Sequence, residues 1–87
     1  MTDFDMAERY RIALLMLDDR IDHAQKKHPG FAKDAFDALN VIEGEMQELR
    51  QAVHGESRKR QVDEALDVAA TCIRFIVGEH LFHGRGA

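Results

Sequence analysis

The sequence predicts an all-α domain of three main helices, the second and third forming an antiparallel hairpin. Apolar residues recur at three- and four-residue intervals over three long stretches, turn formers interrupt that pattern near Pro29 and Gly55, and no stretch alternates as a strand would. The 87 residues make a single domain. A chain this short buries only about 60% of the surface its unfolded form exposes. Packing against further copies, with two hairpins making a four-helix-bundle-type core, is therefore expected.

The first helix is predicted from about Met6 to Lys27, on the stripe Met6, Tyr10, Ala13, Leu14, Leu17, Ile21 and Ala24. Asp5 followed by Glu8 offers a capping pair at its start, and His28-Pro29-Gly30 stops it. Ile12, Leu15 and Met16 widen the apolar surface, so this helix is expected to meet neighbours on more than one side, a second subunit among them. From Phe31 the stripe resumes at Ala35, Leu39, Ile42, Met46, Leu49 and Val53 until Gly55, a natural helix stop. Ser57 caps the third helix, whose apolar positions are Val62, Ala65, Leu66, Ala69, Ile73, Ile76 and Val77. That helix is expected to reach His80 or Phe82, with residues 83–87 as a frayed tail.

Composition excludes several classes. Hydrophobic and charged fractions of 45% and 32% are those of a folded globular chain. A net charge of −4, with one short basic cluster at Arg58-Lys59-Arg60, argues against nucleic acid as a partner. The longest apolar run, Ile12 to Leu17, is far short of the roughly 20 residues that span a bilayer, so no membrane partner is expected. A lone Cys72 and an acidic N-terminus without the pattern of a signal peptide predict a cytoplasmic setting.

The chemistry lies in two pairs of acids. Glu45 and Glu48 are three residues apart on the second helix, and Glu64 and Asp67 are three apart on the third, so each pair shares a face. About a turn centred on Glu56, Glu48 and Glu64 are each eight residues away, and Glu45 and Asp67 each eleven. An antiparallel hairpin thus brings both pairs to the same height, across an axis separation of about 8–10 Å. A single such pair is usually a solvated helix face, since Glu favours helices and surfaces. Two mirrored pairs that converge must instead take up protons or hold a cation, and hard oxygen ligands in number suit Mg²⁺ or Mn²⁺. A di-iron carboxylate site would need Glu-x-x-His on two helices, and no Glu here has a His three residues later. His80 and His83 offer only two ligands for zinc and better suit a helix C-terminal dipole.

The stretches Glu43 to Leu49 (EGEMQEL) and Asp63 to Ile76 (DEALDVAATCIRFI), with fifteen residues between Glu48 and Glu64, resemble the ExxE, spacer, ExxD signature of the MazG-like all-α nucleoside triphosphate pyrophosphohydrolases. The resemblance covers roughly half the chain. It implies that Glu45, Glu48, Glu64 and Asp67 hold Mg²⁺, with Mn²⁺ as a substitute. The implied reaction is hydrolysis of a nucleoside triphosphate between its α and β phosphates, with one of these carboxylates taking the proton of the attacking water. Homodimers or homotetramers are the implied assemblies. Many members carry a further Glu just before the first ligand, where this chain has Gly44, which bears on the number of metal ions; Glu43 points away by about 100°.

Arg60 and Arg74 lie near the acidic stripe of the third helix, and either can reach a leaving pyrophosphate or simply balance charge. Lys27, with Lys26 and His28, is a further candidate for phosphate contacts. Phe31 and Phe36 are read as core rather than base-stacking residues. The alternative function is a non-catalytic helical interaction module in which Gly44 marks a decayed site. The preferred base or sugar has no fingerprint here.

Overall fold

The computed structural model describes residues 1–82, and the expected tail falls outside them. Among the described residues there are three α-helices, α1 (Asp3–Lys27), α2 (Ala35–Gly55) and α3 (Arg58–Val77), then a short 3-10 helix (Glu79–Phe82), and no strand. Among the described residues no helix is long and apolar enough to cross a membrane.

Local chemistry places the ends. α1 starts three residues earlier than the apolar stripe implied because Thr2, not Asp5, is the cap. The Thr2 hydroxyl oxygen accepts from the Asp5 backbone N–H at 3.1 Å, and the Asp5 carboxylate accepts from the Thr2 N–H at 3.2 Å. Glu8, the other half of the expected pair, bonds Arg11 instead. Phe31 and Ala32 precede α2, which begins after Asp34 accepts the Asp37 N–H at 2.8 Å. Ser57 caps α3 as expected, accepting from Arg60 N–H. α3 ends at Val77 rather than at His80 or Phe82. Gly78 takes φ 86° there, and its N–H turns back to the carbonyls of Arg74 and Phe75.

The two-residue link Glu56–Ser57 folds α2 and α3 into the expected hairpin, while α1 lies alongside α3 and parallel to it. Contacts fix that register: Arg20 of α1 meets Asp63 and Asp67, and the carbonyls of Ala24 and His28 meet Arg74, so later residues of one helix face later residues of the other. The faces that pack differ from the predicted stripes. On α2 the buried residues are Ala38 and Ala52, with Ile42, Glu45 and Leu49 half-buried between them, while Leu39 and Val53 are exposed. On α3 the buried residues are Glu64, Ala70, Thr71 and Arg74, while Ala65, Ile76 and Val77 are exposed. Phe36, read as core, is 81% exposed.

The apolar core is accordingly thin. Among the described residues the fully buried apolar ones are Ala32, Ala38, Ala52 and Ala70, and no large apolar side chain is wholly enclosed. Small side chains let helices approach closely but remove little apolar area from water. Polar bonds carry much of the tie between α1 and the hairpin. Arg74 is 2% exposed, and its guanidinium donates to Ala24 O at 3.3 Å, His28 O at 2.7 Å and Glu79 Oε1 at 3.0 Å while lying 4.8 Å over the Phe31 ring. One side chain thus ends α1, fixes the following loop and holds the 3-10 helix.

Replacing Arg74 with Met leaves the half-buried Glu79 carboxylate with Gln25 alone and removes the guanidinium from the carbonyls of Ala24 and His28. A loss of about 3 kcal/mol in urea unfolding is expected. Arg74→Lys should recover only a minor part of it, because an ammonium lacks the planar fork that reaches all three oxygens.

Candidate metal centre

Helix pitch and hairpin register together assemble the acids. Glu45 occupies the packing face of α2, in line with Ala38, Ile42, Leu49 and Ala52, and Glu64 occupies the buried face of α3 in line with Thr71 and Arg74. Glu48, one turn from Glu45, is exposed at the rim. One carboxylate oxygen from each of Glu45, Glu48 and Glu64 lies within 4.8 Å of the other two. The hairpin thus brings together three of the four predicted ligands. Asp67, the fourth, is half-buried one turn beyond Glu64 but outside that trio.

Three acids this close repel, and burial magnifies the repulsion. Loss of water, then the charges of Asp67 and Glu48, push the Glu45 carboxyl up to about 7. Glu64 is also raised, by burial first and by Glu48 next, with Arg60 pulling the other way. Oε2 of Glu45 and Oε2 of Glu64 are buried without a hydrogen-bond partner among the described residues, and Glu64 as a whole is 5% exposed. Buried, unpartnered carboxylate oxygens on two members of an acidic cluster are what a hard divalent cation would satisfy, so the donor set fits Mg²⁺ or Mn²⁺.

The cationic candidates divide. Arg60 is half exposed and bonds the Glu64 carboxylate, with Glu56 at 3.6 Å, so it stands at the mouth of the cluster. Lys27 lines an adjoining cavity of about 930 Å³ whose walls also include His23, Phe31, Glu45 and Asp67. Arg74 borders the same cavity, yet its donors are committed to Glu79 and the end of α1. Its contacts favour a structural clamp over the expected phosphate contact. Phe31 presents its ring to Arg74 at this wall. His80 is buried in the 3-10 helix just past the end of α3, where it stacks on Phe75 at 4.9 Å; His83 lies outside the described residues.

Sequence reasoning missed Arg20. Its guanidinium donates to Asp67 Oδ1 at 2.6 Å, to Asp63 O at 2.9 Å and to Asp63 Oδ1 at 3.2 Å, bringing a cation from α1 to the edge of the site. The available signal was its position on the α1 stripe, four residues before Ala24, where a charged residue on a packing face calls for a buried partner. Gly44 is exposed, and a Cβ built there meets nothing within 4 Å. Its missing carboxylate is a matter of charge rather than room.

A scan of family models, a search of curated proteins and a search of solved structures each return no match.

The raised acids set a pH dependence for the metal-free protein. Folded Glu45 holds its proton to about 7, whereas its ordinary value is 4.5, so between those limits the folded chain binds more protons than the unfolded one. Stability must then fall as pH rises through that window. The loss is expected to be on the order of 1 kcal/mol, less than the full shift implies because Glu45 is only half-buried. Urea midpoints in EDTA should drop from pH 5 to pH 8, and Glu45→Gln should flatten the slope and raise the midpoint at pH 8.

Proposed function

We propose that this chain is a Mg²⁺-dependent nucleotide pyrophosphohydrolase, a hydrolase of phosphoric anhydrides in the manner of the MazG-like proteins its two acidic motifs resemble. The observation that carries the reading is the trio Glu45, Glu48 and Glu64, gathered from two helices with two buried and unpartnered oxygens. A solvated acidic face would have no such oxygens. The adjoining cavity of about 930 Å³ is ample for a nucleotide.

Glu45, Glu48 and Glu64 would hold the ion, with Asp67 available beside them. Bound there, Mg²⁺ or Mn²⁺ supplies neutralisation of phosphate oxygens and acidification of a water. The chain's own residues do the rest. A cluster carboxylate accepts the proton of the attacking water as a new P–O bond forms and the bridge between α and β phosphates breaks, releasing nucleoside monophosphate and pyrophosphate. Arg60 and Lys27 bind phosphate oxygens at the mouth and wall of the site.

The same reading includes self-association as a homodimer or homotetramer, and α1 supports it. Its stripe is continuous from Met6 to Ala24, but only Leu17, Arg20, Ile21 and Ala24 of its second half are half-buried. In the first half Tyr10 is 67% exposed, Leu14 64% and Leu15 56%. Burying each such residue is worth about 1.5–3 kcal/mol, which the thin monomer core does not supply. A second copy brings an identical uncovered stripe, the requirement for a two-fold interface.

Incubation with a panel of standard and modified nucleoside triphosphates should release pyrophosphate with at least one of them, only with Mg²⁺ or Mn²⁺. Glu48→Gln and Glu64→Gln should lower kcat at least 100-fold with helicity intact. Absence of pyrophosphate from every substrate would sink the enzyme reading and leave the interaction module. Independently, sedimentation should give a mass at least twice the 9.9 kDa of the chain, and Tyr10→Glu with Leu14→Glu should return it to the monomer.

A further inference from the structure

The four carboxylates of the proposed site do not share one environment. Glu45, Glu48 and Glu64 face one another, whereas Asp67 is held by Arg20, whose Nη1 donates to Oδ1 at 2.6 Å. Both side chains are half-buried, at 23% and 33% exposure, so the pair is screened less than a surface pair. Arg20 is also anchored independently of Asp67, through the backbone oxygen of Asp63 at 2.9 Å and its carboxylate at 3.2 Å. Lys59 holds the other oxygen of Asp63 at 3.0 Å and keeps that anchor in place.

We infer that Arg20 is an electrostatic latch on Asp67, so that a divalent cation gains the fourth carboxylate only by competing with the guanidinium for it. The inference rests on the metal-site reading above and concerns how that site loads. A guanidinium and a divalent ion draw on the same lone pairs, and two cations on one carboxylate repel each other. Release is feasible because Asp63 keeps Arg20 paired when Asp67 leaves, so no orphan charge is created. The order of events follows from the contacts: the ion enters at the trio, where Glu45 Oε2 and Glu64 Oε2 are unpartnered, and Asp67 joins after Arg20 lets go. Arg20 acts through Asp67 and is a positioning residue.

Binding of Mn²⁺ alone to the full chain, followed by calorimetry, tests the latch in Arg20→Gln, Arg20→Lys, Asp67→Asn and the Arg20→Gln/Asp67→Asn pair. The latch requires Arg20→Gln to bind Mn²⁺ roughly tenfold more tightly, about 1.4 kcal/mol, Arg20→Lys to stay near the parent, and the gain to vanish when Asp67 is also Asn. A scaffold role for Arg20 gives unchanged or weaker Mn²⁺ binding in Arg20→Gln, which overturns the latch. The parent protein supplies a second readout should Arg20→Gln not fold. On adding Mg²⁺, NMR signals of the Asp67 carboxyl carbon and the Arg20 guanidinium should move together, and a titration that moves neither overturns the proposal. Glu64→Gln separates the two failures. If it binds Mn²⁺ as well as the parent, the metal-site reading falls and the latch with it; if it loses Mn²⁺ while Arg20→Gln gains nothing, the latch alone falls.

Discussion

Burying charge between helices is the constraint on which the rest of this structure depends. At seam positions where a small helical protein usually places Leu or Ile, α3 carries Glu64, Asp67, Thr71 and Arg74 at intervals of three, four and three, and α2 adds Glu45. Each charge at such a position needs a partner or a ligand. Arg74 answers by gathering Glu79, two carbonyl oxygens and the Phe31 face, and Arg20 answers by gathering Asp63 and Asp67. Thr71 turns its hydroxyl back to the carbonyls of Asp67 and Val68 and satisfies itself within α3. Glu45 and Glu64 are left with unmet oxygens, and those define the candidate site.

The two arginines also explain how α1 is held. Among the described residues the fully buried apolar side chains are all alanines, so the hairpin offers α1 little to grip by area alone. Ion pairs and charge-assisted hydrogen bonds at Arg20 and Arg74, about two turns apart along the α1–α3 seam, fix its direction and register instead. Such bonds demand particular geometry and so specify one arrangement. They add less net stability than packed apolar groups would. A fold so specified gains most from a partner that covers the apolar first half of α1.

The sequence made the hairpin and its acid pairs legible because both depend on counting: helical period fixes faces, and a two-residue link fixes height. Faces are less legible, because an apolar stripe need not be the packing stripe. On α3 the buried line is polar, so Ile76 and Val77 counted as core while Arg74 did not. Helix ends were misread where a nearer chemistry prevailed, Thr2 over Asp5 at the start of α1 and the left-handed Gly78 at the end of α3. Arg20 escaped because its partners lie 43 and 47 positions along the chain, a pairing that only the α1–α3 register reveals. The acids themselves could be located by spacing, but the split of three against one could not.

That split gives Gly44 its meaning. Fully ionised, the four carboxylates of the candidate site would carry four negative charges, and Arg60 and Arg20, each shared with a further acid, would offset at most two of them. In the proposed function such a balance would suit one divalent cation, whereas a fifth carboxylate at position 44, one turn from Glu48 on the exposed rim, would tip it toward a second. The space at Gly44 is open, so no steric reason keeps a side chain out. Electrostatics bears on it instead: with Asp67 tied to Arg20 and no acid at 44, negative charge is concentrated on the trio, and in the proposed function the charge brought by phosphates would fall to Arg60, Lys27 and a single ion held there.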